Sequence, residues 1–201
     1  MRREQVFIGA LLTAGGLAVV AAASLPSLLP VWRAGAVDAV RMIGENLGAY
    51  QVSSVLFAVG AALTLAGLGA LTRLLGGPVA VTGLVLMSVA TALWLGNLAF
   101  RLTVTVQMAR EGGVVPSWYV AMNAWTVGLL AVAAVLAGLA LLCYGVAVLN
   151  VWPRWAGFVA LVFGAGVLGL FLATLNVPPI LLYLAPLALG IAALTRKPEL
   201  G

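Results

Sequence analysis

The sequence predicts an all-α protein, a polytopic membrane helix bundle, and three observations support that prediction. Hydrophobic residues make up 64% of the 201 residues and charged residues only 7%, whereas soluble domains carry about 25% charged residues. Several apolar runs reach about 18 residues or more, the length that crosses the hydrocarbon core of a bilayer. The sequence also lacks the alternation of apolar and polar residues that is typical of membrane barrels.

We expect one transmembrane domain over residues 1–201, with six membrane-spanning helices. Their predicted bounds are 6–25, 50–71, 79–101, 117–149, 156–175 and 180–194. Pro26 and Pro30 are expected to end the first span, and the turn at 76–78 separates the second from the third. The first run follows Arg2 and Arg3 and imitates a secretory signal. It is longer than a usual signal core, so we expect it to remain as the first helix.

Residues 31–47 connect the first two spans, and their pattern has two interpretations. Arg41 follows Asp38 by three residues and precedes Glu45 by four, so both acids can pair with it on a helix. Apolar residues recur on the other side of the same segment. The pattern predicts either a short amphipathic helix on the membrane surface or a solvated loop with helical character.

Six spans place both termini on the same side of the membrane, and basic residues predict that this side is the cytoplasm. Six of the ten Lys and Arg residues would lie on that side and four on the other, as the positive-inside rule expects. The cytoplasmic six are Arg2, Arg3, Arg73, Arg154, Arg196 and Lys197, and the external four are Arg33, Arg41, Arg101 and Arg110. We therefore expect a multi-pass protein of the inner (plasma) membrane, with Asp38, Glu45 and Glu111 outside.

The composition excludes several classes of function. The chain has no histidine, which removes His-ligated haem, His-based metal sites and the usual general base. Cys143 is the one cysteine and cannot form an internal disulfide. The basic residues are scattered, so the net charge of +5 does not indicate a nucleic-acid partner. We expect no cofactor and no metal. No acidic residue lies inside a predicted span, which argues against proton- or sodium-coupled transport.

The polar residues at the end of the third span form the candidate functional face. Helical spacing places Trp94, Asn97, Arg101 and Thr105 on one side of that helix. Other polar and aromatic side chains concentrate near the external ends of neighbouring spans. The hypothesis is a cavity that opens to the outer leaflet, where Arg101 holds the phosphate or carboxylate of a membrane lipid or amphipathic small molecule. The predicted ligand-binding residues are Glu45, Tyr50, Trp94, Asn97, Arg101, Trp118, Asn123 and Trp125.

The same residues have a purely structural explanation. Arg101 can reach the interface by extending its side chain, and tryptophans at helix ends form the aromatic belt of many membrane proteins. An interhelical hydrogen bond to Asn123 would satisfy Asn97. Small residues in several spans indicate close packing inside one bundle, with a dimer face as the alternative.

The sequence contains no complete catalytic motif and gives no support for an enzyme. Besides ligand binding, we consider a passive transporter or channel, or an accessory subunit of a membrane complex. A membrane enzyme that uses Glu45 as a base beside Arg101 ranks below these, because Glu45 is expected to pair with Arg41. A transporter needs a polar path to the cytoplasmic side, where few polar side chains are predicted.

Four short motifs resemble a known bacterial family, named "domain of unknown function 4386". They are Asn46 before the second span, Ala99-Phe-Arg101-Leu in the third, Asn123 at the start of the fourth, and Trp152-Pro153-Arg154-Trp-Ala-Gly157 after it. The resemblance implies a small membrane protein of six or seven helices and no assigned reaction. Members of that family tend to carry an acidic residue just after the arginine, where this chain has Thr103 and Val104.

Overall fold

The computed structural model of the chain describes residues 2–25, 31, 34–112, 114–149 and 151–195. Every regular element in those ranges is helical, which confirms the predicted all-α class. The elements are α1 (Arg2–Ser24), α2 (Ala36–Glu45), α3 (Leu47–Leu75), α4 (Gly77–Phe100), a π-helix (Arg101–Thr105), α5 (Val106–Glu111), α6 (Ser117–Leu149), α7 (Arg154–Thr174) and α8 (Leu181–Thr195). The predictions for Pro26, Pro30, Arg33, Arg196 and Lys197 concern residues outside the described ranges.

Five helical stretches in the described part of the chain are long and apolar enough to cross a membrane. They are Arg3–Ser24, Leu47–Leu75, Gly77–Glu111, Ser117–Leu149 and Arg154–Thr174. These five helices indicate a multi-pass membrane protein. The predicted sixth span corresponds to α8, an apolar helix of 15 residues. That length is about 22 Å, which is less than the hydrocarbon thickness of about 30 Å.

α8 nevertheless packs along the length of α1. Leu194 of α8 lies against Gly9, and Leu187 lies against Gly16. Residue numbers rise along α1 as they fall along α8, so the two helices are antiparallel. The start of α1 and the end of α8 therefore lie at the same end of the bundle.

Glycines let two further helix pairs approach to backbone contact. A Cβ atom at Gly15 of α1 would lie 2.8 Å from the carbonyl oxygen of Gly60 in α3. A Cβ atom at Gly164 of α7 would lie 2.8 Å from the carbonyl oxygen of Gly138 in α6. These contacts agree with the predicted packing of small residues inside one bundle. Gly166 differs, because in the described structure a Cβ atom there would meet nothing within 4 Å.

The helices α3, α4 and α6 hold the candidate site. α3 and α4 are joined at Gly76, whose φ of 65° is accessible to glycine without strain. The ring of Phe57 in α3 packs edge-on against Trp94 in α4, with centroids 5.7 Å apart. Nearer the Gly76 turn, the hydroxyl groups of Thr72 and Tyr144 lie 2.7 Å apart. This buried pair was not expected at that end of the bundle, where the sequence predicted few polar side chains.

The connection between the first two spans contains a helix, α2, as the amphipathic interpretation predicts. The placement of this helix on the membrane surface stays a prediction. Its apolar side packs on the protein. Ile43 is buried in one cluster with Tyr50 and Val106, and Val40 is buried in another with Tyr119. α2 therefore covers α5, the end of the long helical stretch Gly77–Glu111.

Only one of the two ion pairs predicted for α2 forms. Arg41 lies 3.5 Å from Asp38, and both side chains are well exposed. The predicted Arg41–Glu45 pair is wrong. Glu45 is the last residue of α2, where the chain turns at Asn46, so it does not hold the position of an interior helical residue. An exposed pair of this kind contributes at most about 1 kcal/mol.

Candidate functional site

The candidate site begins where the long helix changes its hydrogen-bonding pattern. α4 ends at Phe100, and residues 101–105 form a π-helix before α5 continues in the same direction. The backbone N–H of Val106 donates to the carbonyl oxygen of Arg101, five residues earlier. Single turns of π-helix are rare and occur often at functional sites, because they hold one extra residue within the helix. Arg101 is the first residue of that turn.

The predicted polar face points into the protein. Asn97 is 0% exposed and Trp94 is 3% exposed, while Thr105 is also buried. Arg101 is half-buried and lies on the same side. The shared face that helical spacing predicts is therefore confirmed for these four side chains.

Asn97 connects Arg101 to the neighbouring helix α6. The Nε–H of Arg101 donates to Oδ1 of Asn97 at 2.9 Å. The Nδ2–H of Asn97 donates to the backbone carbonyl of Thr126 at 2.7 Å. Because a guanidinium can only donate, the amide oxygen must face it and the amide nitrogen must face the carbonyl. The predicted Asn97–Asn123 hydrogen bond is wrong, since a backbone carbonyl takes the amide instead.

The hydrogen bond from Arg101 to Asn97 leaves most of the guanidinium unpaired. Arg101 makes no ion pair with any carboxylate in the described ranges. Its Nε is held by Asn97, so the two terminal amino groups are free to donate elsewhere. A half-buried guanidinium without a counterion is an expected feature of a site that binds an anion.

The first cavity beside Arg101 has a volume of about 20 Å³. Its lining residues are Val31, Tyr50, Ser54, Phe57, Trp94, Leu98, Arg101 and Pro179. Two buried polar atoms there have no hydrogen-bond partner in the described structure, the hydroxyl of Tyr50 and Nε1 of Trp94. Tyr50 is only 2% exposed. Buried polar groups are normally paired, so a water molecule or a ligand atom would satisfy these two. Thr13, Thr64 and Trp152 carry similar unpaired atoms elsewhere in the described structure.

A second cavity of about 80 Å³ lies beside Arg101. Val31, Ala34, Ala39, Arg101, Asn123, Val127, Leu130 and Asn176 line it. Arg101 and Val31 line both cavities. The guanidinium is therefore placed where it can reach a group in either space.

Three predicted ligand-binding residues lie away from these cavities. Trp118 is 52% exposed and Trp125 is 59% exposed, and neither lines a cavity beside Arg101. Glu45 is exposed and lines a separate groove of about 640 Å³ between α2 and α5. The predicted roles of the two tryptophans as cavity walls are wrong. Both residues lie on the outward side of α6, where lipid would surround them.

Several side chains near the site were not among the predicted ligand-binding residues. Ser54 and Phe57 line the first cavity, and both follow Tyr50 at helical spacing on α3, a signal that was present in the sequence. Tyr119 stacks on Phe100 with centroids 5.8 Å apart and donates to Oγ1 of Thr105 at 3.0 Å. These contacts between α4, the π-helix and α6 had no sequence signal.

Metal binding gains no support from the residues that the structure describes. They contain no group of three or more His, Cys, Asp or Glu side chains that could hold a metal ion.

The buried Thr72–Tyr144 pair is fully hydrogen-bonded, because Tyr144 also approaches the carbonyl of Leu68 at 3.3 Å. That pair is therefore explained by helix packing.

Comparisons with protein-family models, curated proteins and solved structures found no match to this chain. The resemblance to the "domain of unknown function 4386" family stays a prediction.

Proposed function

We propose that this protein binds the anionic head group of a membrane lipid or related amphiphile at Arg101, in the outer leaflet. The observation that carries the proposal is the half-buried guanidinium, which is oriented by Asn97 and has no carboxylate partner in the described structure. It lies beside two cavities. A guanidinium in this arrangement can hold phosphate or carboxylate oxygens through two parallel hydrogen bonds.

The cavity volumes limit what enters the protein. A volume of about 20 Å³ is close to that of one ordered water molecule, and the second cavity of about 80 Å³ holds only a few atoms more. Neither cavity can enclose an acyl chain. The head group would therefore enter, while the chains remain among the surrounding lipids.

The placement in the outer leaflet follows from a six-span topology, which is part of the proposal. α8 is antiparallel to α1 over residues 187–194, and this supports its assignment as a short sixth span around which the bilayer would be thinner. Both termini then lie on one side, and the basic residues favour the cytoplasm. Arg101 lies at the opposite end of the bundle.

A lipid-retention experiment tests the proposal. The protein is purified in a mild detergent, and the co-purified phospholipid is quantified per protein for the wild type and for Arg101→Ala. We expect the variant to lose most of the bound lipid, because the group that holds the anion is gone. Arg110→Ala is the matched control, since Arg110 is an exposed arginine at the end of α5. Equal lipid retention by wild type and Arg101→Ala would refute the proposal.

The passive-transport alternative has less support. A cavity of about 360 Å³ beside Glu4 and Arg73 lies at the other end of the bundle. Its described lining residues include none of those beside Arg101. Among the described residues, these cavities therefore provide no support for a polar path between the two ends.

A further inference from the structure

The polar groups around the first cavity share one chemical property, which is the ability to donate hydrogen bonds. Arg101 and the indole of Trp94 can only donate. The hydroxyl groups of Tyr50 and Ser54 can donate or accept. The side-chain oxygen of Asn97 is already occupied by Arg101, and the amides of Asn123 and Asn176 line only the second cavity. The described lining residues of both cavities include no carboxylate.

From this arrangement we infer that the site selects a phosphate head group that carries no amine over a zwitterionic head group. The inference rests on the proposed function and extends it to a ligand class. An ammonium group brought beside Arg101 would be repelled by the guanidinium, and the repulsion is strong where water is scarce. It would also find no acidic side chain, because Glu45 lines the separate groove between α2 and α5.

The size of the first cavity adds a geometric requirement. One phosphate oxygen occupies about as much space as the single water molecule that this volume admits. Placed there, it would accept hydrogen bonds from the unpaired Nε1–H of Trp94 and the unpaired hydroxyl of Tyr50. The remaining phosphate oxygens would face the free amino groups of Arg101. A small phosphomonoester or phosphodiester lipid meets this requirement, and the same chemistry would also accept inorganic phosphate.

Native mass spectrometry of the full-length protein in a non-ionic detergent tests the selectivity. The probes are phosphatidic acid, phosphatidylglycerol, phosphatidylethanolamine and phosphatidylcholine with identical acyl chains, together with inorganic phosphate. We expect the two amine-free lipids to bind about tenfold or more tightly than the two zwitterionic lipids, because the guanidinium repels the cationic group of the latter. Weak binding of inorganic phosphate, dependent on Arg101, would also support the phosphate chemistry.

Two variants identify the groups responsible. Arg101→Lys keeps the charge but loses the paired donors, so binding of the amine-free lipids should weaken. Trp94→Phe keeps an aromatic ring and removes the Nε1–H donor, together with the volume of the second indole ring. It should weaken the same lipids about fivefold or more while the folded protein is retained. Arg110→Ala again controls for general attraction between a basic protein and anionic lipid, and it should leave the preference unchanged.

The outcomes separate the inference from the proposed function. Equal affinity for phosphatidylglycerol and phosphatidylethanolamine, with both lost in Arg101→Ala, would overturn the selectivity and leave head-group binding in place. Lipid binding that is unchanged in both Arg101→Ala and Trp94→Phe would overturn both. Binding of inorganic phosphate at least as tight as that of any lipid would overturn the lipid assignment and leave a soluble phosphate as the ligand.

Discussion

Replacing Asn97 by leucine tests the contact on which the whole site depends. The two side chains are similar in size, so the substitution removes hydrogen bonds without leaving a large cavity. Two bonds are lost, the one from Arg101 at 2.9 Å and the one to the carbonyl of Thr126 at 2.7 Å. The first bond joins the π-helix to α4, and the second joins α4 to α6.

The expected loss of stability follows from those two bonds. A buried hydrogen bond between membrane helices is worth about 0.6–1.7 kcal/mol. The bond from Arg101 is charge-assisted, but Arg101 is half-exposed and can recover water, so it adds about 1 kcal/mol. The total is about 2 kcal/mol, which corresponds to a fall of about 4–8 °C in Tm for a chain of this length.

Thermal unfolding in detergent measures this change. Circular dichroism follows the loss of helix, and a thiol-reactive dye follows the exposure of Cys143, the one cysteine of the chain. Asn123→Leu is the matched control, because Asn123 lines the second cavity but its side chain makes no hydrogen bond in the described structure. It should change the free energy of unfolding by less than about 0.5 kcal/mol. If the two variants unfold at the same temperature, the hydrogen bonds of Asn97 do not stabilise the bundle.

Three further predictions concern the scaffold, and each can be measured by the same thermal unfolding. Gly164→Ala should lower the free energy of unfolding by about 1–3 kcal/mol, because its Cβ would lie 2.8 Å from the Gly138 carbonyl. Gly166→Ala has open space around its Cβ and should leave stability unchanged. Similar values for the two variants would contradict the close packing of α6 on α7. Leu175→Gly should stabilise the protein by about 1 kcal/mol, because exposed Leu175 has a φ of 54° that glycine adopts without strain. A lower Tm would show that the leucine side chain stabilises the fold by more than its strained backbone destabilises it. Asp38→Asn removes an exposed ion pair and should change stability by less than about 1 kcal/mol, so a larger loss would mean that α2 depends on this pair.

Part of the candidate site was predictable from local spacing alone. Trp94, Asn97 and Arg101 lie three and four residues apart, and an α-helix places such residues on one side whatever surrounds it. Tyr50 and Ser54 follow the same rule on α3. The partner of Asn97 was not predictable, because it is the backbone carbonyl of Thr126. Every residue has such a carbonyl, so the sequence pattern cannot indicate which one is used.

The outward orientation of Trp118 and Trp125 was not predictable for a different reason. In a soluble helix, the polar side faces water and the apolar side faces the core, so the pattern reveals the orientation. In a membrane, lipid and the interior of the bundle are both apolar, and the contrast disappears. Tryptophans near a helix end are then equally compatible with a cavity wall and with contact to lipid.

The amino-acid sequence by itself determined the secondary structure class, the membrane environment and the rotation of Arg101 relative to Asn97, because run length, hydropathy and helical spacing are local properties. The tertiary structure decided which helices meet, that α2 covers α5, and that the chain adopts a π-helix at residues 101–105. It also left Tyr50 and Trp94 unpaired beside the guanidinium. These features depend on the close approach of distant backbones, and in an apolar solvent that approach is governed by shape and hydrogen bonding, which the pattern of hydrophobic residues does not record.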